Sequence, residues 1–378
     1  MRTATIIATI TLSMFACSYA SAKDGNSDIA ALCKADLDTI APFILENDTG
    51  AKDHLKQKGQ AYFDTALAQA SQQVTKVKDW ETCKTVLTDY LGTWRKSHLY
   101  LYQTAPDHAV DTAAGNTAQD SANHIYPELK TLSDKTIVLT LPSFDNAVQA
   151  ALEQLIKTKR KILESHPNWI IDVRDNSGGT DNSYYALLPW LMPDEFETVN
   201  AEFLVTPANI NIQESVCSLD DPSQKSCAKY LQSVAKEMRK LKTGDYFLPN
   251  QTEIIYERPP TTPVHRPQRV AVLIDNACAS SCEQFLLTVR QSFNVKLLGR
   301  SSMGALDYSN LRPFALPSGQ FQLFYATTRS RRIPHLQVDV AGIMPDIYLP
   351  PPKDQQAREA EVQQARSFLE HGRLTPAR

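Results

Sequence analysis

The second half of the sequence contains two apolar strand patterns, and each runs directly into a turn of small residues. The first pattern, Trp169–Arg174, leads to Ser177-Gly178-Gly179, and the second, Arg269–Asp275, leads to Ala277-Cys278-Ala279-Ser280. A helical pattern at 281–293 follows the second turn directly. Alternation of buried strands and helices through short turns is typical of an α/β core, which is the predicted fold class.

The rest of the chain divides into regions of different character. Apolar residues spaced three and four apart predict helices from residue 28 to about 104. Residues 104–130 are rich in Thr, Asp, Ala, Asn and Gly without a period, which predicts a linker or mobile loop, and 193–265 look irregular. The predicted division is a signal peptide (1–22), a helical domain (23–104), a linker (105–131) and an α/β catalytic domain (132–378).

The N-terminus matches an export signal. Arg2 precedes a mostly apolar run at 4–16, and Ala20-Ser21-Ala22 fits the small-x-small cleavage pattern, so the mature chain is expected to begin at Lys23. An ordinary N-terminal helix and a lipoprotein-type site at Cys17 are the two alternatives. No apolar run of transmembrane length follows this segment. The expected location is therefore outside the cytoplasm, in the periplasm or secreted.

Charge and cysteine content narrow the class of protein. A formal net charge of -3 gives no reason to expect nucleic acid or an anionic membrane surface as a partner. Without Cys17, six cysteines remain, and an even number in an exported chain predicts disulfides. No cysteine or histidine spacing suggests a metal site. The predicted pairs are Cys33–Cys83, Cys217–Cys227 and Cys278–Cys282, with two free buried thiols as the alternative for the last.

The two small-residue turns also have the composition of a catalytic site. Glycines such as Gly178 and Gly179 allow a sharp turn that presents bare backbone N–H groups, which can hold a developing oxyanion. A serine such as Ser280, on a tight turn before a helix, is either a nucleophile or simply the N-cap of that helix. From spacing alone, an ordinary strand-to-helix turn is the better explanation of the glycine pair.

Both turns resemble motifs of the C-terminal processing, or tail-specific, protease family. The segment from Asp172 to Gly179 is similar to the family pattern D-x-R-x-N-x-G-G, and Cys278–Glu283 resembles its S-A-S-A-E nucleophile turn. Gly299–Gly304 is similar to the downstream G-E-x-T-x-G pattern. The resemblance covers roughly residues 130–350. It implies a serine peptidase with a crotonase-like (ClpP/crotonase) ββα core, in which alignment at Glu283 places the nucleophile at Ser280.

Two departures point to the tricorn-like branch of that family. Bacterial processing proteases have a lysine base where this sequence has Ala305, and the region before residue 130 leaves no room for a PDZ domain. The segment Ser97-His98-Leu99-Tyr100 resembles the S-H-x-Y pattern of the tricorn-like branch. Asp339 stands at that branch's carboxylate position, where the tricorn branch has glutamate. The resemblance therefore implies a Ser-His mechanism.

The resulting hypothesis assigns each role to a residue. Ser280 attacks, His98 is the general base, Asp339 orients it with help from Ser97, and Gly178 or Gly179 joins the Ser281 N–H in the oxyanion hole. The expected partner is a peptide or protein substrate, and no metal or cofactor is expected. Asp307 is the alternative carboxylate, and the linker residues His108 and His124 are expected to be solvated.

Two other functions are alternatives to this one. A catalytically silent family member that only binds peptides or a protein partner is favoured by the alanine at position 305. A crotonase-fold enzyme that acts on thioesters is disfavoured, because the serine turn has no role in such chemistry.

Overall fold

The computed structural model describes residues 25–104, 126–221, 224–259 and 265–374. The predicted signal peptide, Cys17, His108 and His124 lie outside these residues. The α-helices of the described part are α1 (Gly25–Asn47), α2 (Ala51–Lys58), α3 (Gln60–Val74), α4 (Trp80–Trp94), α5 (Gln149–Ser165), α6 (Leu188–Leu191), α7 (Pro207–Ser215), α8 (Lys225–Met238), α9 (Ser281–Val289) and α10 (Gln355–His371).

Short strands alternate with these helices in the second half of the chain, and 3-10 turns cover Asn146–Val148, Asp181–Leu187 and Pro249–Gln251. The strands are β1 (Tyr100–Gln103), β2 (Glu128–Thr131), β3 (Thr136–Thr140), β4 (Asn168–Asp172), β5 (Phe196–Val199), β6 (Ala201–Leu204), β7 (Tyr246–Phe247), β8 (Ile254–Glu257), β9 (Arg269–Ile274), β10 (Val295–Gly299), β11 (Tyr308–Ala315), β12 (Phe321–Ser330) and β13 (Ile347–Tyr348).

The central sheet has the order β13-β10-β9-β4-β3-β2, and all its pairs are parallel except β2 with β3. Apolar side chains cover both faces: α5 and α9 contribute Leu152 and Phe285 on one face, and α10 contributes Leu369 on the other. This explains why β4 and β9 are apolar throughout. Because β4 and β9 are parallel neighbours, their carboxyl ends, with Gly178-Gly179 and Ser280 just beyond, meet at one edge.

A second, antiparallel sheet has the order β1-β12-β6-β7, with β11 on the other side of β12. The N-terminal helices pack against it, since Leu37 of α1 and Leu87 of α4 share one buried cluster with Leu323 and Tyr325 of β12. A separate two-stranded sheet pairs β5 with β8. The helical region is thus joined to the second sheet through a common core.

The mixed α/β architecture agrees with the sequence, but several segments differ from the prediction, and β1, for example, lies in the stretch expected to be helical. Residues 193–265, expected to be irregular, contain α7, α8 and the strands β5 to β8. The predicted linker contains β2, and β11 was not predicted at all. The cause is the same in each case: these strands are short or only half-buried, so their apolar pattern is weak. Within the described residues, no helix has the length and apolar character needed to cross a membrane.

The six cysteines of the expected mature chain lie in pairs. The two sulfur atoms are 2.07 Å apart in Cys33–Cys83, 1.99 Å in Cys217–Cys227 and 2.00 Å in Cys278–Cys282. The first pair joins α1 to α4 with both cysteines fully buried. The second pair lies at the surface near the start of α8.

The first disulfide is expected to stabilise the helical region most. Cys33→Ala/Cys83→Ala removes a cross-link between residues 50 apart, and the free energy of unfolding should fall by about 2–4 kcal/mol. Cys217→Ala/Cys227→Ala is the matched control, because its cysteines are only 10 apart and the shorter loop should cost roughly 1 kcal/mol less. Urea unfolding of both oxidised variants measures the difference, and a larger loss for the second pair would contradict the prediction.

Candidate active site

Ser280 occupies a strained turn between β9 and α9. Its backbone has φ of 55° and ψ of −122°, a region that residues with a side chain rarely adopt. Ala279 and Ser281 on either side are buried, at 5% and 7% exposure, whereas Ser280 is half-buried. Ser280 is thus the residue of this turn that reaches the surface, and a serine on a strained strand-to-helix turn is typical of a nucleophile elbow.

The Glu283 carboxylate fixes this turn to the loop that follows β10. Its Oε2 accepts the N–H groups of Ser280 (3.2 Å) and Ala305 (2.8 Å), and its Oε1 accepts the Gly304 N–H (2.7 Å) and the Ser302 hydroxyl (2.6 Å). Burial raises the pKa of Glu283, and these four donors oppose the rise. Ala305, at the family's lysine position, therefore contributes only its backbone, which also accepts the Ser280 N–H at 3.1 Å.

The Cys278–Cys282 disulfide closes a small ring around the same serine. Its Cα atoms are 5.4 Å apart, and neither cysteine is exposed. Since only Ala279, Ser280 and Ser281 lie between the two cysteines, the bond limits the conformations that this turn can reach.

The glycine pair after β4 packs directly on the serine turn. A Cβ atom on Gly178 would lie 2.6 Å from the Ala279 carbonyl oxygen, and one on Gly179 would lie 2.1 Å from the Phe144 carbonyl oxygen. Both glycines also have positive φ, at 95° and 141°. The Gly178 N–H donates to the Asn176 side chain at 2.9 Å. Among the described residues, the N–H groups of Gly179 and Ser281 have no hydrogen-bond acceptor.

His98 lies between α4 and β1 with its ring held by a backbone carbonyl. Its Nδ1 is 2.5 Å from the carbonyl oxygen of Tyr308, which can only accept, so Nδ1 carries the proton and Nε2 is left as a base. Nε2 has no hydrogen bond within the described part of the chain. Burial lowers the pKa of His98, the Tyr308 carbonyl raises it, and the nearby Arg95 charge lowers it further.

Arg95 sets the backbone conformation of the histidine loop. Its Nη2 donates to the His98 carbonyl (2.6 Å) and its Nε donates to the Ser97 carbonyl (2.9 Å). The guanidinium is itself held by the buried Asp48 carboxylate, with nitrogen–oxygen distances of 2.5 and 2.7 Å. His98 has φ of 57°, and these bonds hold the loop in that unfavourable conformation. Ser97 thus contributes to the conformation of this loop through its carbonyl group, which accepts a hydrogen bond from Arg95.

In the structure, Asp339 bonds to the backbone of the segment before Tyr308. Asp339 Oδ1 accepts the N–H groups of Leu306 and Asp307, both at 2.7 Å, and makes no hydrogen bond to His98 in the described structure. Asp307 in turn accepts the N–H groups of Val338 (2.6 Å) and Asp339 (2.8 Å). Burial raises the pKa of Asp339 to about 6. The two aspartates therefore tie together the segments around 306 and 338, while the Tyr308 carbonyl is the group that contacts the histidine ring.

A single cavity of about 640 Å³ joins the two halves of the site. Ser280, Ser281, Gly179 and His98 all line it, although no hydrogen bond joins the side chains of Ser280 and His98 in the described structure. Gly178, Asp339 and Ser97 are not among the lining residues. No lysine is present among the described residues that line this cavity.

Three contributors to the site were not identified from the sequence. Glu283 served only to fix the alignment, although a serine followed three residues later by glutamate is the capping-box pattern and gave a signal. Asp48 directly follows α1 and Arg95 directly follows α4, and nothing in the sequence marks them as a pair. The Tyr308 carbonyl is a backbone atom, and its position depends on the fold alone.

The chain matches one protein-family model. A family model described as peptidase family S41 matches residues 135–349, which is more than half of the chain. A search of curated protein sequences finds no match.

Solved structures show the same fold over nearly the whole chain. Mature CPAF is similar with a TM-score of 0.60 and 12% identity, over 92% of this chain and 100% of that one. CPAF complexed with lactacystin has a TM-score of 0.58 at 12% identity, over 90% and 97%. A lipoprotein from Streptococcus agalactiae has a TM-score of 0.50 at 15% identity, over 90% and 97%. By the family match, this chain belongs to peptidase family S41 and is a serine-type peptidase.

Proposed function

We propose that this peptidase cleaves peptide bonds of peptide or protein substrates through an acyl-enzyme on Ser280, with His98 as the general base. The observation that carries the proposal is the cavity that Ser280 and His98 both line. The contact between Nδ1 of His98 and the Tyr308 carbonyl fixes the tautomer in which Nε2 can act as a base. Catalytic hydrogen bonds are often long without substrate, so the missing Ser280–His98 bond is compatible with this mechanism.

The reaction follows from these positions. Nε2 of His98 takes the hydroxyl proton while Ser280 Oγ bonds to the substrate carbonyl carbon, and the carbonyl oxygen becomes an oxyanion. The carbon–nitrogen bond then breaks, and the imidazolium returns the proton to the leaving amine. Water attacks the resulting ester by the same route, which releases the acid and restores Ser280. The Tyr308 carbonyl accepts from Nδ1 throughout and so stabilises the imidazolium.

The oxyanion is assigned to two backbone donors, Gly179 and Ser281. Both residues line the cavity, and their N–H groups are unpaired among the described residues. The Gly178 N–H is already bonded to the Asn176 side chain, which favours Gly179 of the two glycines first considered. Preorganised donors of this kind contribute a large part of the rate enhancement in acyl transfer.

Asp339 is assigned a positioning role. By accepting the N–H groups of Leu306 and Asp307, its carboxylate fixes the segment that leads into Tyr308. Asp339 thereby acts on His98 through the backbone and not through direct contact with the ring.

We also propose that the central sheet and α9 form a crotonase-like core, and that the protein acts after export, in the periplasm or as a secreted protein. The parallel strands that present Gly179 and Ser281 at one edge support the first point. The signal-like first 22 residues and three disulfides support the second. N-terminal sequencing of the mature protein tests export, and an intact Met1 in a cytosolic fraction would contradict it.

The nucleophile can be tested against its neighbour. Ser280→Ala should abolish both peptide hydrolysis and labelling by a fluorophosphonate probe, because the attacking oxygen is removed. Ser281→Ala is the matched control and should keep most activity, since the assigned role of Ser281 belongs to its backbone N–H. Labelled protein digested and mapped by mass spectrometry identifies the reacting serine. Absence of labelling in the folded wild-type protein would instead indicate a catalytically silent member.

The base can be tested through pH. Because burial and Arg95 lower the pKa of His98, the neutral imidazole should persist below pH 6.5, the usual value. We expect kcat/KM to fall only when pH drops below that value, and to be level above it. His98→Ala should reduce kcat/KM by on the order of 10³-fold or more, as loss of a triad base does. An acid limb well above pH 7, or a fully active His98→Ala variant, would exclude His98 as the base.

The role of Asp339 can be tested by comparing two substitutions. Asp339→Asn keeps an oxygen that accepts the N–H groups of Leu306 and Asp307, so activity should fall by roughly tenfold or less, whereas a direct triad aspartate would cost about 10⁴-fold. Asp339→Ala removes the acceptor and should cost more than Asp339→Asn. Measurement of kcat/KM for both variants decides between the two roles. Equal large losses would support direct contact between Asp339 and His98.

A further inference from the structure

Arg332 follows β12 and reaches the cavity from the side of the second sheet. Its side chain is 8% exposed, and the residue lines the same cavity as Ser280 and His98. A guanidinium buried to this extent normally has its N–H groups paired with acceptors, because an unpaired buried charge is costly.

The contacts of Arg332 leave the outer end of its guanidinium free. Its Nε is 3.4 Å from Asp307 Oδ1, a weak contact, and within the described structure Nη1 and Nη2 make no hydrogen bond. Neither nitrogen is sealed inside the protein, since the fully buried, unpaired side-chain atoms belong to other residues. The exposed part of this side chain therefore faces the cavity.

The neighbouring carboxylates do not occupy that end. Asp307, Asp339 and Glu283 all favour the charged form of Arg332, while burial lowers its pKa. Their hydrogen bonds, however, go mostly to backbone N–H groups: Asp307 accepts from 338 and 339, Asp339 from 306 and 307, and Glu283 from 280, 304 and 305. Asp307 contacts only Nε, and within the described structure none of the three carboxylates accepts a hydrogen bond from Nη1 or Nη2 of Arg332.

We infer that Arg332 is a substrate-binding residue that takes a carboxylate group of the peptide into the cavity. The planar fork of a guanidinium matches a carboxylate in a two-point hydrogen bond, and the low local polarity strengthens it. The carboxylate comes from an aspartate or glutamate side chain or from the substrate's C-terminus. This inference rests on the proposed function, since it needs peptide bound beside Ser280.

Two other charged residues line the same cavity. Asp181 lies close enough to Arg332 for the arginine charge to lower its pKa, although burial raises that pKa, and its carboxylate is hydrogen-bonded to the side chains of Ser281 and Tyr184. Arg312 already donates from Nη1 to the Leu311 carbonyl (2.9 Å) and from Nη2 to Gln213 (3.0 Å). Its outer nitrogens are occupied, which makes Arg312 a matched control for Arg332.

The first test uses the wild-type enzyme and pairs of fluorogenic peptides. One set exchanges Asp for Asn and Glu for Gln at each position around the cleaved bond, and the other compares a free C-terminal acid with its amide. We expect one position, or the terminus, to give at least a tenfold higher kcat/KM for the acid member of a pair, as a charged hydrogen bond implies. The set in which the preference appears identifies the source of the carboxylate.

The second test assigns the preference to a residue. In Arg332→Gln the acid-to-neutral ratio of kcat/KM should fall to about one, and Arg332→Lys should restore part of it. Arg312→Gln should retain the wild-type ratio. Because the readout is a ratio, partial loss of folded enzyme leaves it unchanged. Competition of the same peptides against fluorophosphonate labelling of Ser280 gives a binding readout that does not need turnover.

The possible outcomes separate this inference from the proposed function. Equal use and equal binding of acid and neutral peptides by the wild-type enzyme would overturn the inference while leaving the mechanism intact. A preference that persists in Arg332→Gln, or disappears in Arg312→Gln, would also overturn the assignment. Failure of Ser280 to react with the probe would instead remove the proposed function itself.

Discussion

A buried ion pair between Arg95 and Asp48 fixes the position of the site relative to the helical part of the molecule. The Asp48 carboxylate faces the guanidinium and also accepts the N–H groups of Gly50 and Ala326. The remaining donors of Arg95 bind the backbone at 97 and 98. These bonds fix the start of α2, the middle of β12 and the loop of His98 relative to one another. Removing one partner of such a pair would leave a buried charge uncompensated.

Carboxylates replace regular secondary structure around the nucleophile. In the loops at 302–307 and 338–343, Glu283, Asp307 and Asp339 accept the N–H groups of residues 304–307, 338 and 339, while other N–H groups of these loops bond to backbone carbonyls. Glu283 and Asp307 are fully buried, and hydrogen bonds from these N–H groups offset the cost of burying them. The geometry near Ser280 is therefore rigid even though it is built from loops.

The sequence predicts the fully buried strands of the core well. It does not predict contacts to the site that backbone atoms make. The apolar runs of β4 and β9, and the register at Glu283, were enough to predict the α/β core and to propose Ser280. β11 was missed because polar residues such as Asn310 and Arg312 interrupt its pattern. The contact between the His98 ring and the Tyr308 carbonyl could not be predicted, because a backbone carbonyl is the same in every residue type.

The core shared between α1–α4 and β12 has a consequence for how the enzyme matures. Residues 135–349, which match the family model, contain the serine but not His98, and the histidine loop is anchored on helices that pack against β12. In the proposed mechanism, serine and base become neighbours only when both cores have joined. In that mechanism, a chain whose two cores have not yet joined has no complete site.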